Sequence, residues 1–320
     1  MRDNHPMLIQ SEYEIDGSYS IFCFCYQILI LQKLVLKSLS MKIRLLLLLL
    51  FSSTGLVNAQ IYTAATYNIR LNIESDGENK WDNRKDWLSD QIKSIAPDVL
   101  GTQEGLPEQI SYLDSSLTSY QYAGVGRDDG DQKGEYSAIF YNTNVVQARD
   151  EGTFWLSETP DKISTGWDAA YLRVCTYVLL KSKNSDTHFW VFNAHMDNRG
   201  ATSRLESLKL IWDKVEELNT QKYPVLVMGD FNAVPDSPPI AFLSKHMNDT
   251  RNSSQTTPSG PIGTYNGFDT SHPLDERIDY IFASDDVEVH SYQVINAIQN
   301  NRTPSDHLPV IIDFEISSSQ

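Results

Sequence analysis

The chain has 320 residues, 41% of them apolar, and a formal net charge of −16 at pH 7. That length and apolar fraction allow a sizeable core. The acidic balance, with no cluster of Lys and Arg, argues against tight binding to long nucleic acid. No apolar run after residue 60 is long enough to cross a bilayer, so no stable membrane span is expected in the mature chain.

The leading residues have their own pattern. Met41-Lys42-Ile43-Arg44 is a short basic start, Leu45 to Phe51 is unbroken apolar, and Val57-Asn58-Ala59 offers small residues for cleavage. Residues 41–59 are therefore predicted to be a secretory signal peptide, with Gln60 as the first mature residue and a periplasmic or extracellular destination. Residues 1–40 are then read as an upstream extension from a misassigned start, Met41 being the true one. A rival reading joins Tyr19–Leu36 to the leucine run as an anchor, which Lys33 and Lys37 oppose. Cys23 and Cys25 fall in this leading part. Cys175, in the apolar run Val174–Leu180, reads as a buried small hydrophobe, which leaves the mature chain without an internal disulfide.

Residues 60–320 read as one domain of alternating strands and helices. Ile61–Ile69 is a predicted strand. Asn83–Ile95 is an amphipathic helix carrying Trp87, Leu88, Ile92 and Ile95 at helical spacing, with Pro97 just past its end. Val99–Gln103 is a short strand and Glu108–Leu117 a second helix. Ser137–Tyr141, Val174–Leu180 and Phe189–Ala194 are strands. Thr202–Leu218 is the longest helix, its apolar face marked by Leu205, Leu208, Ile211, Trp212, Val215 and Leu218. Pro224 introduces the strand Val225–Met228. Asp279–Ala283, Val287–Val294 and Leu308–Ile316 are the later strands, and Asn252–Gly263 is a surface loop.

Polar residues gather at the ends of these strands. Asn68, Glu104, His195 and Asp230 stand at or just beyond the C-terminal end of an apolar run, Asp279 opens one, and Asp306-His307 precede one. A sandwich presents a site in this way. Glu104 and Asp306 suit Mg²⁺, which takes oxygen ligands and keeps several waters. In Gly229-Asp230-Phe231-Asn232 the carboxylate can orient or deprotonate a water, and the amide can donate to a phosphoryl oxygen. His307 follows Asp306 directly, and Asp279 can accept its hydrogen bond and fix its tautomer and charge. Taken singly, each of these has a bland alternative: a capping acid, a turn after a strand, a structural histidine.

Taken in order, they resemble a known family. Thr66-Tyr67-Asn68, Gln103-Glu104, Asn193-Ala194-His195-Met196-Asp197, Gly229-Asp230-Phe231-Asn232, Ile278-Asp279-Tyr280 and Ser305-Asp306-His307-Leu308-Pro309 follow the order and rough spacing of the endonuclease/exonuclease/phosphatase (DNase I-like) superfamily. The resemblance covers about residues 61–316, and the local text is most similar to the deadenylase and nocturnin branch and its exported bacterial relatives. It implies a four-layer α/β/β/α sandwich of two mixed sheets, and a metal-dependent phosphoesterase.

It also implies roles: Glu104 on Mg²⁺ (or Mn²⁺ in its place), with Asn68 and Asp306 beside it. Asp230 would align the attacking water, Asn232 hold the phosphate, and His307 with Asp279, and His195 opposite, stabilise charge. Which group takes the proton is disputed in the superfamily, so Asp230 and His307 could exchange roles. Gly134-Glu135-Tyr136 resembles a segment beside the site in that branch, which makes Tyr136 a substrate-binding candidate. Arg173 is a candidate phosphate fork or a surface ion pair, Phe268 a candidate ring for stacking on a base or sugar or a core aromatic, and Trp155 and Trp167 candidate pocket walls or core residues.

The expected function is hydrolysis of a small or terminal phosphate ester. A 3′–5′ exonuclease of deadenylase type and a catalytically inactive binding module are the alternatives. No basic DNA-binding insertion is visible, and the oligomeric state is not legible.

Overall fold

The computed structural model describes residues 60–317 and, from the preceding segment, residues 30–35 and 37, which are helical. The predicted signal peptide at residues 41–59 and most of the proposed upstream extension lie outside the described residues. No helix among the described residues is long and apolar enough to cross a membrane.

Among the described residues, twelve strands form two six-stranded sheets. They are β1 (Tyr62–Asn68), β2 (Val99–Gln103), β3 (Tyr120–Ala123), β4 (Ile139–Asn142), β5 (Val146–Trp155), β6 (Val174–Ser182), β7 (His188–His195), β8 (Val225–Asp230), β9 (Asn248–Asp249), β10 (Asp279–Ala283), β11 (Val287–Val294) and β12 (Val310–Ile316). The first sheet runs β11-β12-β1-β2-β4-β3 and the second β5-β6-β7-β8-β10-β9. Each is mixed, with one parallel pair at its centre, β1 with β2 and β7 with β8. Central strands are apolar on both faces because both faces are covered.

Helices α1 (Lys85–Ile95) and α2 (Pro107–Ser116) cover the first sheet, burying Leu88, Ile92, Ile110 and Leu113 against Ala65, Tyr67 and Leu100. Helix α3 (Ala201–Leu218) and the short α4 (Pro238–Leu243) cover the second. Between the sheets lies a third apolar layer that includes Ala64, Val99, Val191, Met228, Ile281 and Val310. This is the expected α/β/β/α sandwich.

Strand alternation then fixes the position of the site. Side chains two apart share a face. Ala64 and Val99, Val191 and Met228, and Ile281 all face the gap between the sheets. Asn68, Gln103, His195, Asp230 and Asp279 have the same parity, so they face that gap at one end of the sandwich. Register brings them level: Asn68 opposite Gln103, and His195 and Asp279 on either side of Asp230.

Several boundaries differ from expectation. α1 begins at Lys85, with a 3₁₀ turn over Trp81–Asn83 before it; Arg84 is buried and Trp87 only partly so. On α3, Leu205, Trp212 and Leu218 are half-buried, while Ser203 and Ser207 are buried. β5 and β3 escaped the apolar pattern because both are edge strands. β5 also carries the polar stretch Gln147–Gly152 and a bulge between Ala148 and Asp150. An edge strand with an exposed face needs no apolar run. Cys175 is buried and unpaired, and burial pushes its thiol well up, as a small hydrophobe would have it.

Candidate active site

A cavity of about 580 Å³ opens at that end of the sandwich. On its wall stands Asp230, the last residue of β8, where the chain must pass unusually close to its neighbour. Gly229 has φ +143°, and a Cβ there would sit 1.9 Å from the Ala194 carbonyl oxygen. Only glycine lets β8 reach Asp230 in register with His195. Asn232 takes a left-handed conformation (φ 47°), which asparagine tolerates. Its N–H donates to Asp230 Oδ1 at 2.9 Å, and its amide nitrogen donates to the Met196 carbonyl at 2.9 Å.

Two histidines face Asp230 from opposite sides. His195 Nε2 lies 3.5 Å and His307 Nε2 3.7 Å from Asp230 Oδ2. Both rings are buried. Arg173 Nη1 lies 2.9 Å from His195 Nδ1. A guanidinium can only donate, so Nδ1 faces a donor, and the Asn232 amide nitrogen, 3.1 Å from Nε2, sets a second donor on the other side of the ring. Burial pushes His195 down to about 3, with the Arg173 charge adding to it, so the ring is neutral. His307 is the reverse case. Its Nδ1 donates to Asp279 Oδ2 at 2.9 Å. Burial opposes its charge, but Asp279, Asp230 and Asp306 together outweigh burial and raise it well above the ordinary range. His307 is an imidazolium.

The carboxylates converge on the other wall. Glu104, just past β2 at φ 64°, accepts from the Asn68 amide at 3.0 Å and from the Leu71 N–H at 3.0 Å. Burial pushes the carboxyls of Asp230 and Asp306 up, with Asp279 adding to the first and Glu104 to the second. Ligand atoms of Glu104, His195 and Asp230 lie within 4.8 Å of one another, as do those of Asp230, Asp279 and His307. The second group is an ion pair rather than a cage, because His307 Nδ1 is already spent on Asp279. Crowded, buried carboxylate oxygens are the donor set a hard divalent cation takes, so the residues fit a metal at Glu104, with Asp306 and the Arg70 guanidinium beside it.

Two expectations need correction, and Asn68 is placed beside Glu104 as expected: its Oδ1 accepts from the Arg70 N–H at 3.0 Å, and its amide nitrogen braces Glu104 and, at 2.9 Å, Asp230. Tyr136 faces the helices, packed in the layer under α1 and α2, and its hydroxyl donates to the Asp131 carbonyl. It is the neighbouring Glu135 that lines the cavity. Phe268 lies outside the cavity wall, beside the Arg84 guanidinium at 5.7 Å from ring centroid to Cζ; Tyr265, which packs against His307 at 5.1 Å, lines the cavity instead. Arg173 does line it, held between His195 and Asp197. Trp155 is buried behind the site and donates to the Arg127 carbonyl, and Trp167, partly exposed, also lies off the cavity wall.

The sequence reading did not single out Arg70, Arg127 or Glu135. Arg127 and Glu135 pair at 2.6 Å behind His195, and Arg70 reaches between Glu104 and Asp306. All three lie on loops, where no periodicity marks a side chain's direction. The one available signal was that Glu135 is flanked by Gly134 and a core tyrosine.

The comparisons agree with this geometry. The model of the Endonuclease/Exonuclease/phosphatase family matches residues 65–307, and the chain belongs to that family. Members are metal-dependent hydrolases of phosphoester bonds, and so is this protein by class. A solved family protein from Bacteroides thetaiotaomicron is 35% identical, with 82% of this chain and 98% of that one covered and a TM-score of 0.78. A mannosyl-6-phosphatase of Bacteroides thetaiotaomicron VPI-5482 is 36% identical over 79% of this chain and 99% of its own, with a TM-score of 0.74. The human nocturnin catalytic domain, 20% identical, covers 81% of this chain and 97% of its own at a TM-score of 0.63, a likeness of fold alone.

Proposed function

We propose that the protein is an Mg²⁺-dependent phosphoesterase that hydrolyses a small or terminal phosphate ester by in-line attack of water, and that sugar phosphates are the substrates to test first. The observation that carries this is the placing of Asp230 Oδ2, fixed by Asn68 and flanked by the Nε2 atoms of two histidines in opposite charge states. Asp230 aligns the water and takes its proton, since burial raises its carboxyl towards a useful basicity. His307 presents Nε2–H to the phosphoryl oxygens as charge builds, and Asp279 keeps it protonated. The Asn232 amide donates from the opposite side, beside the neutral His195 ring. When bound at Glu104 and Asp306, Mg²⁺ supplies a Lewis acid that neutralises phosphoryl charge.

The rim favours a small ring over a polymer. Tyr171, 42% exposed, and Val234, 47% exposed, both line the mouth and offer apolar faces for a sugar. The acidic chain weighs against a nucleic-acid strand. The 36% identical relative is a mannosyl-6-phosphatase.

The test is hydrolysis of a panel of sugar phosphates, nucleotides and a short oligonucleotide, with Mg²⁺, with chelator, and with Asp230→Ala. Chelator-sensitive release of phosphate from a sugar phosphate, lost in Asp230→Ala, is the expected result. Preferred cleavage of the oligonucleotide would overturn it in favour of a deadenylase-type exonuclease.

Export is also proposed, through residues 41–59 as signal peptide. Mass spectrometry of the purified native protein should find Gln60 at its N-terminus, and a mature chain retaining Met1 would overturn this.

A further inference from the structure

Arg70 has an unusual anchorage. It lies two residues past Asn68 in the left-handed region, at φ 56°, a costly conformation for a residue with a side chain. Its backbone is tied down on both sides. The N–H donates to Asn68 Oδ1 at 3.0 Å, and the carbonyl accepts from Arg84 Nη2 at 2.6 Å and Gln109 Nε2 at 2.9 Å. Arg84 is itself buried and donates to the Ile69 and Pro304 carbonyls, which joins the end of β1 to the loop that carries Asp306.

The side chain is equally fixed. Nε and Nη2 donate to the two oxygens of Asp76, both at 2.9 Å. A bidentate pair sets the plane of the guanidinium. The remaining corner, Nη1, points into the cavity between Glu104 and Asp306. It stands 4.0 Å from Glu104 Oε2 and 3.7 Å from Asp306 Oδ2, beyond hydrogen-bonding distance of either. Among the described residues Nη1 has no hydrogen-bond partner. Two N–H donors are thus left beside Glu104 and Asp306, in the cavity that Asn232, His195 and His307 also line.

We infer that Arg70, steered by Asp76, selects phosphate monoesters over diesters by donating from Nη1 to the terminal phosphoryl oxygen that a diester lacks. This rests on the phosphoesterase reading of the same cavity. A monoester offers three terminal oxygens and carries a second negative charge at neutral pH. A diester places an alkoxy group at one of those positions, which leaves the Nη1 donors desolvated and unpaired. Arg70 contacts substrate in this scheme, and Asp76 is a positioning residue.

The experiment uses the Mg²⁺-loaded protein with three probes: p-nitrophenyl phosphate, bis(p-nitrophenyl) phosphate, and inorganic phosphate titrated calorimetrically. Arg70→Gln is expected to lower kcat/KM for the monoester by about 10- to 100-fold, the loss of one charged hydrogen-bond donor, with less than about twofold change for the diester. Phosphate affinity should fall by a similar factor. Arg70→Lys keeps the charge without the fork and should lose about tenfold. Asp76→Asn, which frees the guanidinium without removing it, should lose less than Arg70→Gln and shift the same ratio in the same direction.

Equal losses on both esters, in variants whose melting temperature matches the wild type, would overturn the inference. So would unchanged phosphate binding in Arg70→Gln, which is readable even without turnover. A wild-type protein that neither cleaves an ester nor binds phosphate with Mg²⁺ would overturn the phosphoesterase reading and this inference with it. Turnover of both esters with no dependence on Arg70 would overturn this inference alone.

Discussion

His195 and His307 face the same oxygen of Asp230, at 3.5 and 3.7 Å, and are equally buried, yet one is neutral and the other charged. The difference lies in what stands behind each ring. Behind His195 are Arg173 and the Arg127–Glu135 pair; behind His307 is Asp279, wholly buried, with Asp306 next in the chain. Burial drives both rings towards neutrality. On the His195 side the guanidinium assists burial, and on the His307 side three carboxylates overcome it. The site is therefore polarised across about one side chain's width, with a neutral imidazole on one wall and a cationic donor on the other.

Removing the oxygen that the two rings share breaks the comparison outright. Asp230→Ala should lower kcat by about 10³-fold or more, within the range of general-base losses, while circular dichroism and the melting temperature show a folded protein. Next is the pair that makes His307 cationic. Asp279→Asn should lower kcat by about 10²-fold, and NMR of the metal-free variant should show the His307 ring titrating close to the ordinary value of about 6.5. In the metal-free wild type, His307 should stay protonated well above that value and His195 neutral well below it.

The two histidines also predict opposite limbs of stability against pH. His307 is raised in the native state, so its contribution is complete below about 6.5 and is lost as pH rises through the native value. His195 is lowered to about 3. It therefore destabilises the native state progressively as pH falls from about 6.5 towards that value, where the unfolded chain binds a proton and the native one does not. Chemical denaturation of the metal-free protein across pH 4–10 reads both limbs. Asp279→Asn should flatten the alkaline limb. Arg173→Met, which removes the repelling charge, should make the acid limb shallower and lower kcat/KM by about tenfold, the scale of one charged hydrogen bond.

The smallest effect is expected below the site, where both halves share one support. Asn193, inward-facing on β7, donates to the Thr102 and Ala138 carbonyls and accepts from Gln103 at 2.6 Å, which ties the second sheet to the first beneath His195. Asn193→Ala leaves these groups unpaired. It should cost about 1–3 kcal/mol in denaturant unfolding, with a modest change in kcat and both histidine charge states retained. A collapse of the NMR difference between the histidines in this variant would show that sheet packing, and not the local charges, sets it.

Much of this was legible in advance, for definite reasons. The central strands β1, β2, β8 and β10 are covered on both faces, so they are apolar throughout and stand out; β2 and β10 match expectation to the residue. Asn68, His195, Asp230 and Asp279 could be placed because a strand's period of two assigns each end residue to a face. Edge strands β3 and β5 could not be seen, because they need no such run. Tyr136 and Phe268 were misassigned because they lie outside regular strands, where neighbours on the page need not share a direction in space. The same applies to Arg70, whose guanidinium is aimed by Asp76 six residues later through a turn without period.

The sequence by itself determined which chemical groups this protein has and, through strand alternation, that most of them arrive at one end of a two-sheet sandwich. It also determined the family, since ordered motifs are a property of the chain. Only the tertiary structure decided their states: which histidine is charged, which arginine is spent on a carboxylate and which keeps a free corner. Those depend on burial and on charges within a few ångströms, and Coulomb energies there are set by residues far apart in sequence, as Asp279 and His307 are, that folding alone brings together.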